Sequence, residues 1–169
     1  MTVKIEIIPV EERHLETLRI ERNKDDVRMN FSNCRLLSQA EQKDWYVKVS
    51  SDKTRKYFAV ENGGKFAGSI WFDEWDFVNR SCRVGLFIIA KYRNKGIGYK
   101  ALREFLSHLS NSLGIHRVWL LVMVENTPAI SLYRKLGFKE EGTQKDAIYR
   151  NQTWHNYLMM AHIEGGEKK

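Results

Sequence analysis

Residues 82–102 read CRVGLFIIAKYRNKGIGYKAL, and their order decides the architecture. Cys82, Val84, Leu86 and Ile88 alternate as one face of a strand. Arg93-Asn94-Lys95-Gly96-Ile97-Gly98 follows, with two basic residues and two glycines. Leu102, Phe105, Leu106, Leu109 and Leu113 then recur at helical spacing until Gly114 supplies a stop. Val118 to Val124 is apolar and rich in valine and leucine, as a central strand is. Strand, helix and strand in this order predict a parallel, right-handed crossover unit over residues 82–124.

Outward from this unit the pattern stays mixed. Val3-Lys4-Ile5-Glu6-Ile7 alternates apolar and charged residues and reads as a strand ended by Pro9. Leu15, Leu18 and Arg22 share a helical face, and Arg22-Asn23-Lys24-Asp25-Asp26 is expected to be too polar to pack. Ser38-Gln39-Ala40-Glu41 has the spacing of a capping box and opens a second helix through Trp45 and Val49. Tyr57 to Val60 and Phe66 to Phe72 flank Asn62-Gly63-Gly64, which supplies the positive φ angles of a hairpin. Asp73 to Asn79 reads as a polar, aromatic-rich connection. Beyond the crossover, Thr127 is the expected cap of a helix with Pro128 at its first position, carrying Ile130, Tyr133 and Leu136 and ended by Gly137. Strands near Phe138 to Glu141 and Trp154 to Ile163 close the chain. The expectation is one α/β domain over residues 1–169, a mixed central sheet of about seven strands with about four helices and a frayed tail at 164–169.

The composition narrows the function classes. A formal net charge of +7 favours anionic ligands. The basic residues are interspersed with acidic ones, so no nucleic-acid surface is signalled. No apolar run reaches the roughly 18 residues needed to cross a bilayer, and the acidic N-terminal stretch is unlike a signal peptide. A cytoplasmic location without membrane association is expected. Cys34 and Cys82 have no metal-ligand spacing and read as buried reduced thiols, and the five histidines show no metal or triad arrangement. A metal is not expected.

The Arg93 to Gly98 loop carries the chemistry. A strand delivers it to a helix N-terminus, where the first backbone N–H groups lack partners and the helix dipole is positive. Phosphate fits there, because Gly96 and Gly98 admit close approach and Arg93 and Lys95 add charge. An ordinary turn with solvated basic side chains is the competing reading. The loop has neither the GxxxxGK[ST] of a nucleotide P-loop nor the GxGxxG of a dinucleotide fold.

At this point the chain resembles the GNAT superfamily of N-acetyltransferases. The family pattern R/Q-x-x-G-x-G/A after a strand matches Arg93, Gly96 and Gly98. The later segment Asn126 to Phe138, NTPAISLYRKLGF, resembles N-x-x-A-x-x-L-Y-x-x-x-G-F. The resemblance extends over nearly the whole chain, including Arg22-Asn23, in the branch of ribosomal-protein, spermidine and nucleotide-amino-sugar N-acetyltransferases. It implies acetyl-CoA as cosubstrate. The amides of Arg93, Asn94, Lys95, Gly96, Ile97, Gly98 and Tyr99 would hold its pyrophosphate, and backbone groups of Phe87 and Ile88 would pair with its pantetheine. Asn126 would bond the coenzyme arm where two parallel strands splay, and Tyr133 would donate a proton to the leaving thiolate. Core packing is the alternative for Tyr133.

The acceptor is less constrained. Related enzymes often place a glutamate on the fourth strand, where Ser81-Cys82-Arg83-Val84 has Arg83, and arginine cannot act as a base. Asp73, Glu74, Asp76 and Glu125 are the substitutes considered. Arg83 would pair with an anionic substrate group or with a neighbouring acid, and Trp71, Trp75 and Phe77 would stack on an acceptor or fill the core. Trp71, Glu74 and Arg83 form the candidate substrate set. The expected acceptor is a nucleotide-linked amino sugar or a protein N-terminal amine. Polyamine or aminoglycoside amines rank behind, because Asn30 to Leu36 lacks carboxylates and the chain is basic. A non-catalytic acyl-CoA-binding module is the reading from another class, and a homodimer is the candidate assembly.

Overall fold

The computed structural model describes residues 4–165; Val3 of the expected first strand and residues 166–169 of the expected frayed tail lie outside them. The elements run β1 (Ile5–Pro9), α1 (Glu12–Arg22), α2 (Asp25–Arg28), α3 (Gln39–Ser51), β2 (Lys56–Asn62), β3 (Lys65–Asp76), β4 (Ser81–Ile88), α4 (Ile97–Asn111), β5 (Arg117–Met123), α5 (Thr127–Lys135), β6 (Lys139–Arg150) and β7 (Thr153–Ile163). Among the described residues the strands form one seven-stranded sheet in the order β1-β2-β3-β4-β5-β7-β6. Only β4 and β5 are parallel, and α4 is the crossover between them. No helix of the described residues is long and apolar enough to cross a membrane.

Strand alternation sorts side chains onto two faces. Ile70 and Phe72 of β3, Val84 of β4 and Val118, Leu120 and Val122 of β5 turn toward α4 and α5 in the larger core. Helix α4 meets them with Ala101, Leu102, Phe105 and Leu109, each about fully buried, and each large side chain so buried contributes about 1.5–3 kcal/mol. The opposite face carries a smaller cluster, in which Ala59 packs with Val10, Leu15 and Leu18 under α1 and α3. The β4 residues Arg83, Gly85 and Phe87 are out of phase with the larger core and belong to this second face.

Three expectations need correction. The stretch after α1 does pack: Arg22 is 9% exposed, Val27 on α2 is 3% exposed, and α2 is a helix beyond the expected four. Asp73 to Asp76 is not a free connection but the end of β3. There the register skips from Asp73↔Arg83 to Asp76↔Ser81, and Glu74 takes a left-handed φ of 50°. Such a bulge cannot be read from strict alternation. Finally, Asn126 rather than Thr127 caps α5, accepting from the Ala129 N–H at 3.3 Å, so Thr127 and Pro128 are already helical. The Ser38 capping box and the Asn62-Gly63-Gly64 hairpin form as expected. Cys82 is buried, whereas Cys34 is half-buried.

Candidate active site

Strands β4 and β5 pair only at Ser81↔Arg117, Cys82↔Val118 and Arg83↔Trp119. Both continue beyond this point, so they diverge. A cavity of about 780 Å³ occupies the gap and pierces the sheet. On the α4 and α5 side it is lined by Gly98, Leu132 and Tyr133; on the other side it is lined by Phe31, Trp71 and Arg83.

The diverging edge of β4 has backbone groups to offer. The Ile89 N–H donates to the Ala67 carbonyl at 3.0 Å, and Phe87 pairs with Ser69 of β3. Antiparallel alternation therefore turns the Phe87 N–H and C=O toward β3 and leaves those of Leu86 and Ile88 facing the gap. Of the expected pair Phe87 and Ile88, only Ile88 turns its backbone groups to the gap, and Leu86 does the same. Phe87 still lines the cavity.

At the α4 end, Gly96 caps the helix at φ 74° and Asn94 precedes it at φ 58°. Two left-handed residues turn the chain so that the first amides of α4, from Ile97 onward, point out of the helix beside the cavity. A Cβ on Gly98 would meet only ordinary contacts at 3.5–3.7 Å, so packing within the protein does not demand glycine there. Arg93 folds back across the end of β4. Its Nε donates to the Ile88 carbonyl at 2.8 Å and its Nη1 lies 2.7 Å from Asp26 Oδ2. Lys95 and Lys91 sit 6.0 and 5.0 Å from the Tyr92 ring.

In the middle of the cleft, Asn126 uses both ends of its amide: Oδ1 caps α5, and Nδ2 donates to Asn30 Oδ1 at 3.1 Å. The Tyr133 ring packs on Phe138 with centroids 5.6 Å apart, and the residue also lines the cavity. Burial pushes the phenol up to about 12. Tyr133 thus packs in the core and also borders the cavity.

The far end is aromatic, and its Arg83 is paired with carboxylates that do not themselves line the cavity. Trp71 stacks on Phe31 at 5.5 Å and on Tyr57 at 5.6 Å, with interplanar angles of 16° and 11°. It lies directly over Gly85, its cross-strand neighbour: a Cβ there would come within 2.0 Å of the indole. Arg83 gives Asp73 two bonds of 2.8 Å and places Nη1 2.9 Å from Glu74 Oε1. Those bonds hold the guanidinium above its ordinary pKa. The β3 bulge makes this possible, since consecutive strand residues would otherwise point to opposite faces. Of the other carboxylates considered, Asp76 accepts from the backbone N–H groups of Val78 and Asn79 within its own turn. Glu125 lies 3.1 Å from His155, whose hydrogen bond lowers its pKa. Trp75 and Phe77 stack on each other at 4.4 Å.

Asp26 and Tyr157 also line the cavity without a role expected from the sequence, as do Asn30 and Phe31 from the Asn30 to Leu36 stretch, which the sequence marks only by its lack of carboxylates. Tyr157 had a readable signal, because it pairs with Met123 and so shares the face of Trp119 and Leu121. Asn30 and Phe31 lie in a loop held by distant side chains. Arg150 Nη2 donates to the Phe31 and Ser32 carbonyls at 2.6 and 2.8 Å, Arg22 donates to the Asn33 carbonyl, and Asn23 exchanges two hydrogen bonds with Leu37.

A family model described as an acetyltransferase (GNAT) domain matches residues 4–139. Spermidine N(1)-acetyltransferase of Escherichia coli (strain K12) is 31% identical over 120 residues, which cover 71% of this chain and 64% of that protein. The chain thus spans just under two thirds of that relative's length. An N-alpha-acetyltransferase of Sulfurisphaera tokodaii is 31% identical over 106 residues, 57% of this chain and 64% of the relative. Among solved structures, spermidine N-acetyltransferase from Vibrio cholerae in complex with CoA and spermine superposes with a TM-score of 0.91, covering 95% of this chain and 96% of that one at 23% identity. The fold is shared.

Proposed function

The chain belongs to the GNAT acetyltransferase family, and from that premise we propose that it transfers the acetyl group of acetyl-CoA to a primary amine of a linear polyamine. The observation that carries the reading is the cavity through the split sheet, with helix amides at one mouth and an aromatic wall beside a doubly paired arginine at the other. The expected nucleotide-sugar acceptor loses its main anchor. Arg83 was its phosphate partner, and two carboxylates already offset the charge on that side chain. Asp73 and Glu74 outweigh the single charge of Arg83, so that local cluster favours an ammonium group, although Arg22 lies 3.8 Å over the Phe31 ring on the same wall. The spermidine acetyltransferases among the relatives support the same acceptor.

The residues present fit the cosubstrate. The outward amides of α4 and Arg93 suit a diphosphate, and the gap-facing edge at Leu86 and Ile88, whose Ile88 carbonyl already accepts from Arg93, suits the amides of an extended pantetheine arm. Acetyl-CoA supplies a thioester with a thiolate leaving group. Phe31 and Trp71 orient the acceptor's alkyl chain toward the gap. Glu74, bonded to Arg83 and 52% exposed on its side chain, draws the ammonium and takes the proton it must lose before attack. Tyr133 donates to the departing sulfur. With its pKa raised by burial, the phenol keeps its proton at neutral pH and so is present as a hydrogen-bond donor to the charge that develops on sulfur.

Free-thiol release from acetyl-CoA across linear polyamines, amino sugars, nucleotide amino sugars, aminoglycosides and N-terminal peptides tests the proposal. Linear polyamines should give the highest kcat/KM. A preference for nucleotide amino sugars or peptides would overturn the acceptor. Tight coenzyme A binding without turnover on any amine would favour the non-catalytic module.

A further inference from the structure

The groups assigned to the coenzyme are engaged within the protein, and the segment from Asp26 to Asn30 supplies partners at two points. Arg93 bonds Asp26 at 2.7 Å, and Asn126 bonds Asn30 at 3.1 Å. The two straps are linked, because Asn30 Nδ2 donates to the Asp26 carbonyl at 3.0 Å. Among the described residues lining the cavity, Asp26 is the sole carboxylate. It stands at the mouth that the function assigned above gives to a diphosphate. A carboxylate there is opposite in effect to everything around it: Gly96, the α4 amides and the basic loop favour an anion, and Asp26 repels one.

We propose that Asp26 is an affinity-determining residue that competes with the coenzyme's diphosphate for Arg93. This rests on the reading that residues 93–99 receive that diphosphate. Arg93 Nε is committed to the Ile88 carbonyl, and Nη1 to Asp26. An incoming diphosphate therefore takes the guanidinium from Asp26 and frees that end of the segment. The ion pair is half-exposed, with side chains 38% and 47% accessible, so displacement is achievable by a polyvalent ligand. The segment also leads into Phe31, part of the acceptor wall. Coenzyme and acceptor sites thus share one stretch of chain.

The test is calorimetric titration of the full chain with coenzyme A, comparing wild type, Asp26→Asn, Asp25→Asn, Arg93→Gln and the Asp26→Asn/Arg93→Gln double variant. Asp25 is the charge-matched control, since it pairs with Arg28 at 2.8 Å and not with Arg93. Asp26→Asn should tighten coenzyme A by about three- to tenfold at low salt, the scale of a surface ion pair plus relief of repulsion, and the gain should shrink at high salt. Asp25→Asn should stay near wild type, and in the Arg93→Gln background the gain should shrink to the smaller share that comes from relieved repulsion. Unchanged or weaker binding by Asp26→Asn overturns the proposal, as does equal tightening by Asp25→Asn or a gain of undiminished size without Arg93. Asp26→Ser should repeat the sign if the asparagine variant is unstable. Failure of the wild type itself to bind coenzyme A is a distinguishable result and overturns the coenzyme reading together with this inference.

Discussion

Tyr133→Phe lowers turnover by about 100-fold or more, the scale of a lost proton donor, while coenzyme A affinity stays close to that of the wild type. Phenylalanine keeps the ring against Phe138 and removes only the hydroxyl of this cavity-lining residue. A purely structural role would show as a lower melting temperature with kcat intact. The pH dependence is a second check on the same role. Burial raises the phenol to about 12, so the donor form persists as pH rises through neutrality and is lost only near that value. Any basic limb in the wild-type profile well below it belongs to another group. Steady-state kcat against pH and direct coenzyme titration read both outcomes, and unchanged turnover in the phenylalanine variant would remove Tyr133 from the chemistry.

Gly85→Val separates the two ends of the cavity. A Cβ at Gly85 would sit 2.0 Å from the Trp71 ring, well inside any tolerated contact, so the indole must leave its place over β4. Its stacking on Phe31 and Tyr57 goes with it. Overpacking of this kind costs about 1–3 kcal/mol of stability. The KM for the acceptor should rise by about tenfold or more, the scale of one to two lost aromatic contacts. Coenzyme affinity should fall less than acceptor affinity, because Leu86 is the neighbour of Gly85 on β4 but the α4 amides and Ile88 lie farther along the cleft. Near-UV circular dichroism reports the displaced indole. An acceptor KM that stays at the wild-type value after the dichroism has changed would show that Trp71 is not part of the acceptor wall.

The crossover over residues 82–124 was legible because its signals are local: alternation, helical spacing and glycine punctuation all fall within a few residues. The same holds for the hairpin at Asn62-Gly63-Gly64 and for the outward amides of α4. What stayed hidden depends on distance or on a broken period. Phe31 and Asn30 owe their positions to Arg150 and Asn126, 119 and 96 residues away, so the sequence points to the Asn30 to Leu36 stretch as acceptor-related but not to these two side chains as cavity wall. Arg83 could be read two ways. The bulge that decides between them, with Glu74 at positive φ, violates the alternation used to read the strand. Phe87 was named in place of Leu86 because backbone direction depends on which neighbour each strand residue pairs with, and that register is a property of the sheet. The acceptor expectation leaned on overall charge. Pairing at Arg83 shows why a formal sum says little about the field inside one cavity.

The three-residue length of the β4–β5 pairing has a mechanical consequence. The seven strands are two sheets of four and three joined by a short seam, with little ladder to transmit tension from one to the other. A ligand that lies along Leu86 and Ile88 lengthens that seam by supplying the edge its missing partner. Occupancy would therefore be felt as stiffness across the whole sheet, slowing amide exchange along β4 and β5 and raising resistance to unfolding in proportion to ligand concentration.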